Sequence, residues 1–316
     1  MKKESTNESC RENFEINRMK NFCGLVSIVG KPNVGKSTLL NKIIEQKISI
    51  TSRKSQTTRN NILGIKTKEN FQMVFVDTPG VHMNASKIMN KVLNQTALGV
   101  VQDADVIIFM IQRNKINALD ELILEKLKGL KNKKICVINK LDQVKSTNSL
   151  LPLIERLNNE HEFDEIIPIS AKTGKNIGEL EDIICRNLPE NNHLYDSETK
   201  FLAKKSFMVA EIVREKIIRF LGDELPHEIY VKVQKIDDKN NIINIDADII
   251  VARESQKGIV VGKNGAKLKK IGETARLDLE KFFNKKVFLK TWVKTKKNWN
   301  NDSDFISSLG IGSLYE

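Results

Sequence analysis

Short apolar runs alternate with longer stretches of helical periodicity between residues 22 and 188. The short runs are typical of buried β-strands, whereas most of the stretches between them repeat apolar residues every three or four positions. This alternation predicts an α/β domain with a mostly parallel, doubly wound sheet, which binds ligands beyond the carboxyl ends of its strands. The predicted strands span residues 25–30, 72–78, 105–111, 134–139 and 165–170.

The pattern changes after a polar segment, 189–200, which we interpret as a linker or hinge. A helical stretch reaches residue 221, two strands follow around the turn DDKNN, and a turn, a helix and a last strand complete the region. The order α, β, β, α, α, β predicts a smaller α+β domain. We therefore divide the chain into a disordered tail (1–20), an α/β domain (21–188), the linker (189–200), an α+β domain (201–297) and a C-terminal tail (298–316).

Basic residues concentrate in the C-terminal region. The 316-residue chain has a formal net charge of +12 and a pI of about 9.4. Between residues 254 and 300 there are 13 Lys and Arg residues against four Asp and Glu. This excess indicates a polyanionic partner, either nucleic acid or an anionic membrane surface. The longest strongly apolar run, 106–111, is too short to span a bilayer.

The four cysteines lack the spacing of a metal site or a disulfide framework. None forms a CxxC pair, and no histidine cluster accompanies them. Cys23, Cys136 and Cys185 lie in or beside apolar segments, unlike Cys10. We expect the first three to be core thiols of a protein in a reducing compartment.

The chain passes from its first predicted strand into a helix through the loop GKPNVGKST. Glycines allow backbone N–H groups to point at phosphates, and the positive end of the helix dipole adds to the attraction. Lys36 is expected to reach the β- and γ-phosphates of a nucleotide, and the Ser37 hydroxyl to bind Mg²⁺. The predicted phosphate loop comprises Gly30, Lys31, Pro32, Asn33, Val34, Gly35, Lys36, Ser37 and Thr38.

Three further motifs follow predicted strands. In DTPG (Asp77, Thr78, Pro79 and Gly80), Asp77 would hold Mg²⁺ and Gly80 would offer its N–H to the γ-phosphate. In NKLD, the Asp142 carboxylate would accept two hydrogen bonds from guanine, while Asn139 and Lys140 brace the loop and cover the ring. In SAK (Ser170, Ala171 and Lys172), the Ala171 N–H would contact guanine O6. Each motif alone could be an ordinary turn, but their order at strand ends predicts guanine nucleotide binding.

The segment 52–64 and the residues after DTPG bear on hydrolysis. We favour Thr58 over Thr57 as the residue that completes the Mg²⁺ shell in the triphosphate state. Val81 stands where many signalling GTPases have a water-orienting Gln, and His82 is more readily a packing residue than a base. Asn33 could help to hold a K⁺ ion that supplies charge in place of an arginine finger. The residues predicted to act in hydrolysis are Lys36, Thr58, Gly80 and Asn33.

The basic region contains a GxxG loop, residues 262–265, between two predicted helices. Within an αββααβ order, this loop is the signature of a KH domain, which clamps the backbone of about four nucleotides of a single strand. The alternative is an ordinary helical turn with a solvated basic face. The predicted RNA-binding residues are Ile259, Val260, Gly262, Lys263, Asn264, Gly265, Lys267 and Lys270.

The chain resembles the Era family of bacterial GTPases over essentially residues 22–316. The resemblance rests on GKPNVGKST, QTTR, DTPGVH, NKLD, SAKTGKNI, GKNGAKLKKIG and WVKTKKNWNND, in that order. It implies a P-loop GTPase domain followed by a type II KH domain, binding to the 3′ end of small-subunit ribosomal RNA, and a role in assembly of the small ribosomal subunit. It also implies peripheral association of a cytoplasmic protein with the inner face of the plasma membrane. We expect a monomer that requires Mg²⁺ and hydrolyses GTP slowly without a partner.

Two other functions remain open at the level of sequence. One is a membrane-associated regulatory GTPase whose basic C-terminal face binds anionic lipid, with an incidental GxxG loop. The other is a nucleotide-binding protein that never hydrolyses GTP, which the full set of Mg²⁺ ligands disfavours but the missing Gln allows. One departure from the family is Ser55, which stands where many members have Pro and would loosen the surrounding loop.

Overall fold

The structure is a computed structural model that describes residues 20–49, 62–77, 88–113, 116–221 and 229–309. Several sequence predictions therefore lie outside the described residues. They are the tail before Lys20, both candidate switch threonines (Thr57 and Thr58), Ser55, the loop residues Thr78, Pro79, Gly80, Val81 and His82, and the chain end after Leu309.

The larger sheet confirms the predicted α/β architecture. Its strands are β1 (Phe22–Val29), β2 (Ile62–Lys68), β3 (Phe71–Asp77), β4 (Val106–Gln112), β5 (Lys133–Asn139), β6 (Glu165–Pro168) and β7 (Phe201–Leu202), in the spatial order β6-β5-β4-β1-β3-β2-β7. The five predicted strands are β1, β3, β4, β5 and β6, and they pair in parallel. The two strands that the sequence analysis did not predict, β2 and β7, are antiparallel to their neighbours.

Both faces of this sheet are covered by helices, which explains the continuous apolar runs. The helices are α1 (Lys36–Ile44), α2 (Ile88–Asp103), α3 (Ala118–Leu127), α4 (Leu151–Glu160) and α5 (Ile177–Arg186). On β4, Ile108 packs with the cluster under α1 and α5, whereas Ile107 and Phe109 pack with the cluster under α2, α3 and α4. β4 is buried on both faces from Val106 to Ile111, so this part of its sequence is apolar throughout.

The smaller unit has the predicted αββααβ order. It consists of α6 (Lys205–Leu221), β8 (Ile229–Asp238), β9 (Ile242–Val251), α7 (Glu254–Val261), α8 (Ala266–Phe283) and β10 (Lys286–Thr295). The spatial order of its sheet is β10-β9-β8, with β10 parallel and β8 antiparallel to β9. Val213 and Ile217 of α6, Ile249 of β9 and Ile271 of α8 share one core, so the helices lie on one face of the sheet.

The segment between the two units is anchored to the larger sheet. The buried Gln72 side chain accepts hydrogen bonds from the N–H groups of Leu194 (2.8 Å) and Tyr195 (3.0 Å) and donates to the Tyr195 carbonyl (2.8 Å). Phe201 and Leu202, which we predicted to begin the second domain, pair with β2 instead. The boundary therefore lies between β7 and α6, because residues 201–202 complete the edge of the first sheet.

The chain after β10 is a packed element that joins the two units. It contains a short helix, α9 (Ser303–Ser308), and the fully buried Trp299. Trp299 packs in one apolar cluster with Met89 and Leu93 of α2 and with Ile250 of β9. Residues 299–309 thus bridge the two units rather than extending freely from the second.

The three described cysteines are buried free thiols, as predicted. Burial raises the pKa of Cys185 to about 11, and it raises the pKa of Cys23 and Cys136 as well. These thiols therefore stay protonated at neutral pH and serve as small apolar core residues.

Candidate nucleotide-binding and RNA-binding sites

The phosphate loop lies at the centre of the larger sheet, after β1, with β3 and β4 on either side. It turns sharply into α1 at Gly35, whose φ is +113°. A Cβ at Gly35 would also collide with the amide nitrogen of Asn139. Glycine is therefore required here both by backbone geometry and by the close approach of the NKLD strand.

Lys36 is held inside the loop by backbone oxygens. Its Nζ donates to the carbonyls of Gly30 at 2.8 Å and Lys31 at 3.0 Å, and the residue is only 7% exposed. Helix α1 begins at Lys36 and has no acidic residue in its first turn. The ammonium group and the positive end of the helix dipole thus occupy the same small region, which suits a phosphate group.

Asn139 ties three of the predicted motifs together. Its Nδ2 donates to the Val34 carbonyl at 2.8 Å, and its Oδ1 accepts from the Ala171 N–H at 2.9 Å. The side chain is buried at the end of β5, between the phosphate loop and the SAK loop. This is the bracing that the sequence predicted. It also gives the Ala171 N–H a protein acceptor, whereas we had assigned that N–H to guanine O6.

Lys140 and Asp142 lie just beyond β5. Lys140 Nζ donates to the Asn33 carbonyl at 2.9 Å and also contacts the Gln112 side chain. Burial lowers the pKa of Lys140, with further repulsion from Arg113 and Lys31, although Asp142 opposes the shift. The Lys140 ammonium group therefore contacts the phosphate loop. That Lys140 covers the purine ring of a bound nucleotide stays a prediction.

The Asp142 carboxylate, predicted to read the base, is restrained by the SAK loop. Ser170 Oγ donates to Asp142 Oδ1 at 2.6 Å and accepts from the Thr173 N–H at 3.2 Å. The Leu141 N–H, next to Asp142, bonds to the Ile169 carbonyl at 3.0 Å. The carboxylate is thus oriented by its neighbours, and Lys172 of the same loop is exposed.

One polar contact of the phosphate loop escaped the sequence analysis. Lys31 Nζ forms a buried ion pair with Asp120 Oδ2 at 2.6 Å. Asp120 also belongs to the capping box of α3, in which Asn117 is the N-cap. The Asn-x-x-Asp spacing could have indicated the cap, but a pairing across 89 residues leaves no local signal.

Two of the predicted Mg²⁺ ligands lie on elements that the structure describes. Ser37 is the second residue of α1, and Asp77 ends β3, where it pairs with Ile28 of β1. Mg²⁺ prefers hard oxygen ligands, and a serine hydroxyl and an aspartate carboxylate are both of this type. The residues present therefore fit this ion. The proposed third ligand, Thr58, lies outside the described residues.

The GxxG loop joins α7 to α8 in the smaller unit. Gly262 has a φ of +71°, and a Cβ there would meet the Lys267 side chain at 2.8 Å. The side chains of Lys263, Asn264, Lys267 and Lys270 are exposed around this turn, and Ile259 is half-buried. A close-approach turn surrounded by lysines can clamp a sugar–phosphate backbone.

Val260 cannot contact RNA as we predicted. Its side chain is fully buried in the core shared by α6, α8 and the sheet. Val260 therefore supports the end of α7, and the loop that follows it, by packing against the core. The prediction was wrong because an apolar residue beside a GxxG loop looks the same in sequence whether it faces a base or the core.

Family profiles match each unit separately. Residues 25–140 match the family described as 50S ribosome-binding GTPase, and residues 224–300 match the KH domain family. Among curated proteins, the chain is 45% identical over 290 residues to GTPase Era of Coxiella burnetii, covering 92% of this chain and 98% of that protein. It is 44% identical over 292 residues to GTPase Era of Pasteurella multocida, covering 92% and 95%.

Two crystal structures are similar to the whole chain. One is Era in complex with MgGDPNP and nucleotides 1506–1542 of 16S ribosomal RNA, with a TM-score of 0.89 and 38% identity. The other is an Aquifex aeolicus Era variant bound to GDP and AlF4⁻, with a TM-score of 0.88 and 38% identity. Each match covers 92% of this chain and 99% of the other.

Proposed function

The chain belongs to the Era family of GTPases, and we propose that it is a GTP-driven switch that acts in assembly of the small ribosomal subunit. It is a P-loop GTPase with an RNA-binding KH domain. The observation that supports the proposal is the presence, in one chain, of the ordered GTPase motifs, whose described residues meet around Asn139, and of a lysine-rich GxxG loop. A relative with the same arrangement was crystallised with MgGDPNP and a 16S ribosomal RNA fragment.

The nucleotide site is arranged to bind the phosphates and to read the base. Lys36 and the start of α1 would attract the phosphates, and Asp142, held by Ser170, would accept hydrogen bonds from guanine. Ser37 and Asp77 would hold Mg²⁺, with Thr58 as the further proposed ligand in the triphosphate state. The ion would neutralise charge on the β- and γ-phosphate oxygens.

We propose that Asn33 helps to hold K⁺ during hydrolysis. Asn33 is exposed at the phosphate loop, has a φ of +63°, and its carbonyl is fixed by Lys140 at 2.9 Å. A monovalent cation beside the phosphates would supply transition-state charge in a chain that lacks the water-orienting Gln. GTP turnover should then be several-fold faster in K⁺ than in Na⁺ at equal ionic strength. Equal rates in the two buffers would remove K⁺ from the proposal.

We favour the small subunit as the target, although the description of the matching G-domain family names the 50S subunit. That family covers only residues 25–140, which hold the phosphate loop and the NKLD start but none of the KH domain. The relatives that span the whole chain are named Era, and the RNA in one of their structures is 16S. The RNA target is better inferred from proteins that share the RNA-binding domain.

The decisive experiment is crosslinking of the protein to RNA in cells, followed by sequencing of the bound fragments. We expect a peak at the 3′ end of small-subunit ribosomal RNA. A chain with Gly262→Asp and Gly265→Asp should lose that peak, since a side chain at Gly262 would meet Lys267 and acidic groups repel phosphate. Reads scattered without a ribosomal RNA peak would refute the proposed function.

The lipid-binding alternative uses the same lysines and makes an opposite prediction. Among the described residues, no helix is long and apolar enough to cross a membrane. A peripheral lipid surface would not need the GxxG geometry, so the double glycine variant would keep its binding to anionic vesicles. Loss of RNA binding alone in that variant would support the RNA switch.

We propose that nucleotide state reaches the KH domain through α2 and the C-terminal element. Helix α2 begins directly after residues 78–87, and the Ile88 N–H donates to Asn301 Oδ1 at 3.3 Å. Trp299 then joins α2 to β9, and Tyr230 Oη of β8 donates to the Leu309 carbonyl at 2.9 Å. The 189–200 segment, which we first considered as the hinge, is held by Gln72.

Such coupling is reciprocal: if GTP changes RNA affinity by a given factor, RNA must change GTP affinity by the same factor. Trp299→Ala should reduce that factor while each ligand still binds alone. An unchanged factor in this variant would exclude the C-terminal element as the path.

A further inference from the structure

The outer face of the KH sheet, opposite its helices, carries a row of alternating lysines and aromatic rings on β10. This row, which we call the β10 row, consists of Lys286, Phe288, Lys290, Trp292 and Lys294, all of them exposed. Phe288 is 49% exposed and Trp292 is 46% exposed. Large apolar rings with this exposure are unusual on a strand and indicate an interaction surface.

The same sheet face is covered at its other end. Trp292 pairs in register with Asp248, and two residues further along β9 Ile250 lies under Trp299 of the C-terminal element. The two tryptophans of the chain therefore have opposite environments, since Trp299 is fully buried. Within the part of the chain that the structure describes, residues 299–309 leave the β10 row uncovered.

The chemistry of the β10 row suits a single strand of nucleic acid. Successive outward residues on a strand are about 6.6 Å apart, which places Phe288 and Trp292 about 13 Å apart with an ammonium group between them. Lys290 Nζ lies 5.4 Å from the centre of the Phe288 ring. Proteins bind single strands by stacking bases on aromatic rings while cations follow the backbone.

The charge around the row favours RNA over a membrane surface. On the adjacent strand β9, Asp246 and Asp248 face the same side, and Lys294 pairs with Asp248 at 2.6 Å. Lys232 and Lys235 of β8 pair in register with the same two aspartates. On this face the lysines of β10 therefore form one line, which the carboxylates of β9 separate from the lysines of β8. A bilayer would meet the whole face, including the partly exposed Asp246, whereas a single strand of RNA can follow the β10 line alone.

The row is also next to the proposed RNA site. β10 is the edge strand of the described sheet on the side of α7, and Thr295 Oγ1 donates to Glu254 Oε2 at the start of α7 at 2.6 Å. Helix α7 ends at the GxxG loop. We propose that RNA held at the GxxG loop continues over β10 and stacks bases on Phe288 and Trp292. This inference rests on the proposed function.

The test compares long and short RNA with the full-length protein. The probes are a 12-nucleotide RNA from the 3′ end of small-subunit ribosomal RNA and the tetranucleotides that tile it, because the GxxG loop alone clamps about four nucleotides. Phe288→Thr with Trp292→Thr should weaken binding of the 12-mer by about 10-fold or more. The affinity for the best tetranucleotide should stay unchanged. Leu151→Thr, which removes a 53% exposed apolar residue from α4, is the matched control and should change neither affinity.

The two proposals fail in different ways. Gly262→Asp with Gly265→Asp should weaken binding of both RNA lengths. If that variant does so while the β10 double variant keeps full affinity for the 12-mer, the β10 inference is wrong and the proposed function stands. If the wild-type chain binds no RNA of either length, the proposed function itself fails, and this inference fails with it.

A second measurement uses the unaltered chain. Acrylamide should quench the fluorescence of exposed Trp292 but not that of buried Trp299. The 12-mer should protect the quenchable component, whereas a bound tetranucleotide should not. Protection by anionic phospholipid vesicles instead of the 12-mer would overturn the inference in favour of a lipid surface.

Discussion

The nucleotide site and the GxxG loop both place cations beside a glycine turn, but they hold those cations differently. Lys36 is 7% exposed and donates to two backbone carbonyls. Lys263 and Asn264 of the GxxG loop are exposed. In the nucleotide site the lysine is buried and bonded to the protein. In the GxxG loop the polar side chains around the glycine turn are exposed to solvent.

The difference follows from the size and rigidity of the two ligands. A nucleotide is small, so the loops that surround it must be fixed to one another, as Asn139 fixes Val34 to Ala171. A flexible RNA strand can adapt to its protein, so close backbone approach and an attractive charge suffice. Substitutions in the first site should therefore change specificity or folding, and substitutions in the second should change only affinity.

The largest expected effect comes from Asp142→Asn. The amide offers donors where guanine needs an acceptor, and two charge-assisted hydrogen bonds of roughly 1.5–3 kcal/mol each are lost. GTP affinity should fall at least about 100-fold. Xanthosine triphosphate, which has an oxygen in place of the guanine amine, should bind better than GTP. Competition binding measures both, and RNA affinity is the internal control. Retained GTP affinity would mean that Asp142 does not read the base.

Asn139→Ala tests whether the nucleotide site is held together by its bracing. The Val34 carbonyl and the Ala171 N–H would remain buried without partners, at about 1–3 kcal/mol each. We expect the free energy of unfolding to fall by about 2–4 kcal/mol in urea titrations without nucleotide. Asn187→Ala, which removes one hydrogen bond to the Ile183 carbonyl outside the site, should have a smaller effect and should not alter GTP affinity. Equal losses in the two variants would contradict a special role for Asn139.

These two residues also show what the sequence could predict. Strand periodicity and motif spacing located Asn139 and Asp142 at a strand end. The structure brings Asn139 to the phosphate loop and Asp142 to the SAK loop. The αββααβ order located the GxxG loop in the same way. The local sequence pattern is enough to predict a site residue when the motif and the helix or strand that carries it are continuous in the chain.

Features that depend on distant partners were missed. The pairing of Lys31 with Asp120, the pairing of Phe201 with β2, and the burial of Trp299 against α2 are all tertiary contacts. Nothing in the residues around them distinguishes a free lysine from a paired one or a tail from a packed element. The polar composition of 189–200 suggested a hinge. The local sequence could not show that this segment is anchored, because its partner, the buried Gln72, lies 122 residues away from Leu194.

Gly265→Asp and Gly265→Asn test the second half of the comparison. Gly265 has a φ of +76°, and a Cβ there would meet open space. Asn tolerates this backbone conformation better than most residues and adds no charge. RNA affinity should therefore fall about 10-fold for Asp and by less than about 3-fold for Asn. Unchanged GTP affinity in both variants is the control. Equal losses would indicate that shape, and not charge, limits RNA binding.

The smallest expected effect is that of Lys263→Gln, and it separates charge from structure most directly. Lys263 is exposed in the GxxG loop, so its removal should leave stability unchanged. Loss of one phosphate contact should reduce the slope of log affinity against log salt by about 0.7 for a single strand. At physiological salt this corresponds to only a few-fold loss in RNA affinity. Lys126→Gln, an exposed lysine on α3, is the matched control and should leave the slope unchanged. GTP affinity should be the same in both variants. A slope that does not change in Lys263→Gln would mean that this lysine has no phosphate partner, and the GxxG loop would then bind RNA by backbone approach alone.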